Sequence, residues 1–343
     1  MSMPPYRALA LQLTCRTVNG AAHRAAAETI VRDSIARIGR QLAASLAFIG
    51  RDCRLVVLPE YALTGFPMGE SIEEWRVNAC FAIDGPEYAA VAALAQRHAV
   101  FLCLNAYETD PHFPTLYFQA SVVFGPNGDT VLRYRRLISM FAPTPHDVWS
   151  AYLDRYGLEG VFPVARTEIG NLAAVASEEI LYPEIARCLA VRGAEVFLHS
   201  TSEVYGPGQT PKEIAKRARA VENLAYVVSA NSAGMTGSAI PASSVDGGSK
   251  IVDHRGLVLV DAGPGESMSA FATIDIEALR VERRRPGMSN LLARQRLELY
   301  ADTYAGTSVY PADTLGDAPF DRSHFLDTQR RTIDALVARG VIT

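Results

Sequence analysis

Segments typical of strands alternate with segments typical of helices along most of this chain, and this alternation constrains its fold more than any other feature. Residues 8–13 and 54–58 have the apolar content of short strands. Residues 21–48 lie between them and carry aliphatic side chains at helical spacing. Residues 117–124 and 131–134 flank a Pro/Asn/Gly turn and predict a hairpin. The pattern predicts an α/β fold in which helices cover mixed sheets.

The second half of the chain continues the alternation. It contains predicted strands at 171–176, 195–198, 226–230 and 271–276, predicted helices at 183–192 and 210–223, and a predicted hairpin at 249–260. No linker or internal repeat interrupts it before about residue 285, so we predict one domain over residues 1–285 and an extension over 286–343. The extension follows an arginine run and carries several aromatic residues. Two interpretations stay open for it: a solvated surface, or a segment packed on the domain or on a partner subunit.

Composition excludes several classes of protein. The chain has 33 Lys+Arg against 37 Asp+Glu, a net charge of -4, and so lacks the basic excess of a nucleic-acid binder. Its apolar runs stay well below the ~18 residues of a membrane span, and residues 8–13 are too short for the core of a signal peptide. We therefore expect a cytoplasmic protein without nucleic-acid or membrane partners. Neither a metal-ligand pattern nor a nucleotide-binding loop occurs, so we expect no metal and no cofactor.

Polar residues stand at the ends of predicted strands in three places. Glu60 follows a buried strand, where active sites of α/β sheets collect, although a glutamate there also serves as a loop cap. Residues 133–137 contain three arginines and end the hairpin, which alone is typical of an exposed strand end. Ser177 follows a fully apolar strand and precedes a helix. That position presents a nucleophile to a pocket, or belongs to an ordinary polar turn.

Taken in order, these segments resemble the nitrilase, or carbon–nitrogen hydrolase, superfamily over about residues 5 to 300. The resemblance is carried by LPEYALTG (58–65), YRR (134–136), SEEILYPE (177–184), RGAE (192–195), RAVENLAY (219–226), Asn231 and GSKIVD (248–253). It implies a nitrilase-like four-layer α-β-β-α sandwich. Since that family commonly dimerises through helices on one outer face, we expect a homodimer or a higher homo-oligomer.

The resemblance also assigns roles to individual residues. Family chemistry uses a cysteine nucleophile, a glutamate general base and a lysine that stabilises the oxyanion; the matching positions here are Ser177, Glu60 and Arg136. Asp147 is the candidate for a second family glutamate that positions substrate or water. The other predicted substrate-binding residues are Tyr61, Glu178, Glu179 and Thr201. Loops 141–158 and 200–209 are expected to shape the mouth of the pocket.

The two departures from the family pattern have physical consequences. An arginine keeps the positive charge of a lysine but cannot shuttle a proton. A serine hydroxyl needs a positioned base more than a thiol does. Because an oxygen nucleophile makes attack on a nitrile harder, we favour amide or ester chemistry over nitrile hydrolysis. Ser177 is either a natural divergence or an engineered replacement of cysteine.

Three functions follow from this site. The first is a hydrolase for a small amide, in which Glu60 deprotonates Ser177 while Arg136 and a backbone N–H near Glu178 hold the oxyanion. The second is a catalytically inactive relative that binds a small carboxylate or amide as a sensor or assembly partner. The third is non-hydrolytic chemistry in the same pocket. The intact motif around Glu60 favours the first function, and the joint loss of the family lysine and cysteine favours the second.

Overall fold

Two β-sheets stacked face to face form the centre of the molecule. The computed structural model describes residues 3–204, 209–316 and 320–343. In chain order the strands are β1 (Tyr6–Ala10), β2 (Thr14–Arg16), β3 (Cys53–Val57), β4 (Phe81–Ala82), β5 (Phe101–Asp110), β6 (Phe113–Phe124), β7 (Thr130–Arg135), β8 (Ala165–Thr167), β9 (Gly170–Ala176), β10 (Val196–Thr201), β11 (Tyr226–Asn231), β12 (Gly234–Thr236), β13 (Lys250–Val252), β14 (Val258–Asp261) and β15 (Phe271–Ile274).

Helices connect these strands and follow them at the C-terminal end. They are α1 (Arg24–Ile49), α2 (Ile72–Ala79), α3 (Pro86–His98), α4 (Trp149–Val161), α5 (Pro183–Val191), α6 (Pro211–Asn223), α7 (Ile276–Arg284), α8 (Glu298–Ala305) and α9 (Arg322–Ala338). None of the helices within the described ranges combines the length and the apolar content that crossing a membrane requires.

The first sheet has the order β15-β1-β3-β5-β6-β7, with β4 paired to β5. Strands β1, β3 and β5 run parallel, because helices connect them, while β6 and β7 form the antiparallel hairpin that the sequence predicts. The second sheet has the order β14-β13-β11-β10-β9-β8, and β9, β10 and β11 run parallel. The carboxyl ends of β9, β10 and β11 therefore lie side by side at one edge.

Each sheet has a helical layer on its outer face. Val31 and Ile38 of α1 pack with Val91 of α3 in an apolar cluster against the first sheet. Ile185 and Leu189 of α5 belong, with α6, to the cluster that also fills the space between the sheets. The order helix, sheet, sheet, helix confirms the predicted α/β four-layer sandwich.

The segment after residue 285 contacts the domain around the β6 strand and α4. Leu315 belongs to an apolar cluster with Phe118 and Tyr152, and Phe325 of α9 is 2% exposed. The Leu315 amide donates to the carbonyl of Asp147 at 3.0 Å. These contacts bring the start of α9 next to the carboxyl edge of the sheets.

Candidate active site

A cavity of about 800 Å³ opens where residues that follow β3, β7 and β9 meet. This volume lies within the range of small-molecule sites, and most of the wall is apolar. Its polar wall includes Glu60, Arg136, Ser177, Glu178 and Lys212. The structure therefore brings the three predicted catalytic residues to one cavity.

Glu60 is fixed between the two sheets. Its side chain is 1% exposed, and its backbone N–H donates to the carbonyl of Thr201 at 3.3 Å. Carboxylate oxygen Oε1 accepts a hydrogen bond from Gln119 Nε2 at 2.8 Å and one from Arg136 Nη1 at 3.4 Å. A buried carboxylate held from two directions faces the cavity in one orientation, as a general base requires.

The guanidinium of Arg136 is held mainly by groups of the protein itself. Its Nη1 contacts Glu60 and Gln119, its Nη2 contacts Glu178, and its Nε donates to the carbonyl of Ile138 at 2.6 Å. These bonds account for four of the five N–H groups of a guanidinium. Burial alone lowers the pKa of Arg136, but the neighbouring acidic groups raise it above its usual value, so the side chain remains charged.

Ser177 lies in a strained turn directly after β9. Its φ of 51° belongs to the left-handed region, which a residue with a side chain adopts at a cost. The carbonyl of Ser177 accepts a hydrogen bond from His199 Nε2 at 2.8 Å, while His199 Nδ1 accepts from Ser229 Oγ at 2.8 Å. Burial lowers the pKa of His199 well below its usual value, so the ring is neutral and has one donor and one acceptor. His199, which sequence analysis missed, thus secures the turn.

Lys212 is a second residue that sequence analysis missed. Its Nζ donates to Ser177 Oγ at 3.3 Å and to Thr201 Oγ1 at 3.2 Å. It is placed by the start of α6, where Thr210 Oγ1 accepts from the N–H of Glu213 at 3.2 Å. The sequence carries a clear signal for this helix cap, but nothing in it links a residue of α6 to the end of β9.

The two acids after Ser177 have different surroundings. Glu178 lines the cavity and pairs with Arg136. Glu179 does not line the cavity and is fully buried; its carboxylate accepts hydrogen bonds from the Tyr134 hydroxyl at 2.8 Å and from three backbone N–H groups. Glu179 therefore ties the turn to the end of β7 and the residues after it. Burial raises the pKa of Glu179 to about 7, although Arg136 and these donors act in the opposite direction.

This raised pKa predicts a pH dependence of stability. A carboxyl group with a native pKa of about 7 and an ordinary unfolded value stabilises the fold below about pH 4, and loses that contribution as the pH rises to 7. We expect the free energy of unfolding of the native chain, relative to Glu179→Gln, to fall by about 3 kcal/mol between pH 5 and pH 8. Urea titrations at both pH values measure this difference. Glu159→Gln, at an exposed carboxylate, is the control; equal pH slopes in all three proteins would contradict the prediction.

The remaining predicted binding residues divide into two groups. Tyr61 lines the cavity and stacks on Tyr107 with ring centroids 5.6 Å apart, while Thr201 is buried beside Lys212. Asp147 is not brought to the cavity. Its Oδ2 accepts from the N–H and the hydroxyl of Thr144, and its Oδ1 accepts from Thr314 at 3.0 Å. These bonds give Asp147 the role of a structural cap that connects to the C-terminal segment.

The predicted loops contribute only in part to the mouth of the cavity. Phe141 lines it, whereas the later part of loop 141–158 forms α4. Ser202 of loop 200–209 lines it as well, and residues 205–208 of that loop lie outside the described residues. Arg322, at the start of α9, was not predicted; its guanidinium carbon lies 3.6 Å from the ring centroid of Phe141.

Cys15, the cysteine that contacts Tyr61, does not take the place of the family nucleophile. Its Sγ donates to the carbonyl of Tyr61 at 2.7 Å, and burial raises the pKa of its thiol to about 12. A thiol in that state is a poor nucleophile at neutral pH. Ser177, at the position of the family nucleophile, lines the cavity itself.

Comparison with known proteins identifies the family of the chain. The model of the family described as carbon-nitrogen hydrolase matches residues 21–284, more than half of the chain. The chain is 26% identical over 255 residues to the nitrilase and fragile histidine triad fusion protein NitFhit of Caenorhabditis elegans, covering 73% of this chain and 55% of that protein. It therefore spans about half the length of NitFhit.

A shorter relative and a solved structure give the same result. The chain is 27% identical over 209 residues to the deaminated glutathione amidase of Yersinia enterocolitica, covering 60% of this chain and 70% of that protein. The crystal structure of a carbon-nitrogen hydrolase from Helicobacter pylori G27 superimposes with a TM-score of 0.66 and 21% identity, covering 88% of this chain and 99% of that chain. This likeness confirms the nitrilase-like fold.

Proposed function

Since the chain belongs to the carbon–nitrogen hydrolase family, we propose that it hydrolyses the C–N bond of a small, non-peptide amide through an acyl-serine intermediate. The observation that carries the proposal is the joint placement of Ser177, in its strained turn, and the buried Glu60 on one cavity of about 800 Å³. The amidase among its relatives supports an amide as substrate.

In the first half of the reaction, Ser177 Oγ attacks the carbonyl carbon of the amide and gives its proton to Glu60. A C–O bond forms, and the carbonyl oxygen becomes an oxyanion. Arg136 supplies a fixed positive charge and the one N–H that its partners among the described residues leave unused. A backbone N–H near Glu178 supplies a second donor. The C–N bond then breaks, and Glu60 returns the proton to the departing amine.

In the second half, water attacks the acyl-serine ester, and Glu60 accepts its proton. Collapse of the second tetrahedral intermediate breaks the C–O bond to Ser177, which recovers its proton from Glu60. The products are a carboxylic acid and an amine or ammonia. Glu178 and Glu179 serve the reaction by holding Arg136 and the turn, respectively.

A panel of small amides, nitriles and activated esters tests this proposal. We expect acid and ammonia or amine from at least one amide, with nitriles not hydrolysed. Binding of an amide that shifts the melting temperature, with no product from any member of the panel, would overturn the proposal in favour of a binding protein without turnover.

Arg322 predicts a preference within the amides. Its side chain reaches the cavity wall from α9 and, within the described ranges, contacts the ring of Phe141 but forms no ion pair. A carboxylate on the substrate would provide that ion-pair partner. We expect Arg322→Gln to raise KM about tenfold for an amide that bears a carboxylate, with little change in kcat and none for a neutral amide of similar size. Steady-state kinetics on such a pair of substrates measures the effect.

The control for this prediction is Arg330→Gln on the same helix, since Arg330 pairs with Asp327 in solvent and does not line the cavity. Equal changes of KM for the charged and the neutral amide in Arg322→Gln would contradict a carboxylate subsite.

A further inference from the structure

We propose that Lys212 is a catalytic residue whose ammonium group stabilises the negative charge that develops on Ser177 Oγ. This inference rests on the proposed function and adds a group that the family resemblance does not assign. Lys212 Nζ lies 3.3 Å from Ser177 Oγ, within reach of the atom that reacts.

The contacts of Lys212 set it apart from the other lysines. Only three of the 33 basic residues in the chain are lysines. Lys216 pairs with Glu203 and Glu213, and Lys250 pairs with Glu213 and Asp261. Lys212, by contrast, forms no ion pair within the described ranges, and its bonds end on two hydroxyl oxygens. Its charge is therefore directed at Ser177 without neutralisation by a carboxylate partner.

Thr201 fixes the direction of this ammonium. Its Oγ1 accepts from Lys212 Nζ at 3.2 Å, and Thr201 itself is fully buried at the end of β10. The nucleophile, the cation and the hydroxyl that orients the cation thus come from three separate elements. Activated nucleophiles in enzymes commonly have this arrangement, in which a third group orients the partner of the nucleophile.

A cation beside Ser177 Oγ stabilises the negative charge that an oxygen nucleophile develops during attack. A serine hydroxyl loses its proton far less readily than a thiol, so attack by Ser177 requires more stabilisation of the anion than attack by a cysteine. Arg136 is poorly suited to stabilise the anion on Ser177 Oγ. Four of its N–H groups already contact Glu60, Gln119, Glu178 and Ile138. The ammonium of Lys212 has three N–H donors and already directs one at Ser177 Oγ.

The step balances without any further reactant. As the proton of Ser177 passes to Glu60, the oxygen gains negative charge, and Lys212 stays protonated and donates to it throughout. The C–O bond then forms to the carbonyl carbon.

The test uses diisopropyl fluorophosphate as a probe, so it does not depend on knowing the substrate. Ser177 Oγ attacks phosphorus, an O–P bond forms, fluoride leaves, and the serine proton goes to Glu60. Intact mass spectrometry follows the adduct, and peptide mapping assigns it to Ser177. We expect Lys212→Met to slow this labelling on the order of 10²- to 10³-fold, and Lys212→Arg, which keeps the charge, to stay within about tenfold of the native chain.

Arg217→Met is the matched control, because Arg217 is an exposed cation on α6 whose Nε contacts the carbonyl of Gly256 rather than Ser177. Melting curves establish that each variant is folded. Labelling of Lys212→Met at the native rate would overturn the inference and leave the proposed function standing. Equal loss in Lys212→Arg and Lys212→Met would also overturn it, since that pattern indicates a proton acceptor. Failure of the native chain to label at Ser177 would instead overturn the acyl-serine function.

Discussion

We expect replacement of Ser177 with alanine to abolish amide hydrolysis, with a loss of kcat on the order of 10³-fold or more. The reason is chemical, because the variant lacks the atom that forms the bond to the acyl group. The fold is expected to persist, since the substitution leaves two contacts of the turn unchanged. His199 still donates to the backbone carbonyl of residue 177, and the N–H of Ala176 still donates to the carboxylate of Glu179. Steady-state release of ammonia or amine from the best amide of the panel measures the loss.

Ser177→Cys is the control for this prediction, because it keeps a nucleophile in the same turn. We expect it to hydrolyse the same amides. Full activity of Ser177→Ala would eliminate the acyl-serine mechanism. Turnover by Ser177→Cys alone, with none by the native chain, would show that the cavity binds amides while the native side chain does not attack them.

Replacing Glu60 with glutamine removes the only carboxylate to which the mechanism gives the proton of Ser177. We expect kcat to fall about 10²- to 10⁴-fold, the usual contribution of a general base. Binding of the amide should change far less, since glutamine keeps the size of the side chain. Single-turnover kinetics separates the two quantities, because it follows acylation after the substrate is bound.

The loss in Glu60→Gln has a structural component that its control must isolate. Glu60 pairs with Arg136, and an arginine left without this partner in a buried site costs free energy. The control is Glu178→Gln, which removes another acidic partner of Arg136 but keeps Glu60. Gln119→Glu is unsuitable, since it adds a negative charge beside Arg136. A kcat in Glu178→Gln as low as in Glu60→Gln would contradict the assignment of Glu60 as the base.

The fold could be predicted largely from the sequence, because the patterns that indicate its helices and strands lie within short segments of the chain. The helical spacing at 21–48 corresponds to α1, Arg24–Ile49, and the turn between two β-rich runs corresponds to the β6–β7 hairpin. The basic segment at the end of that hairpin was harder to interpret. The alternative of an exposed strand end is wrong for Arg135, which is 3% exposed and pairs with Glu108 and Asp110. Those acids lie on another strand, so only the register of the sheet reveals them.

The site could be predicted only where a residue lies inside a recognisable motif. Glu60, Arg136 and Ser177 follow strand ends that the resemblance covers, and the structure brings them to one cavity. Lys212 and Arg322 lie on helices α6 and α9. The sequence of each helix indicates its cap and its apolar face, but not which strand ends the helix contacts. Asp147 was assigned to the site by aligning a segment that contains no motif. In the structure its carboxylate instead accepts hydrogen bonds from Thr144 and Thr314. Contacts between distant elements depend on packing, which a single sequence does not encode in a readable pattern.

The most direct measurement is a rapid-quench intact-mass time course of the native chain with p-nitrophenyl acetate, run in parallel with Ser177→Ala. We expect a transient mass gain of one acetyl group on Ser177 in the native chain, decaying as acetate is released, and no adduct in Ser177→Ala. Release of acetate by both proteins at the same rate, or a stable adduct on another residue, would contradict it.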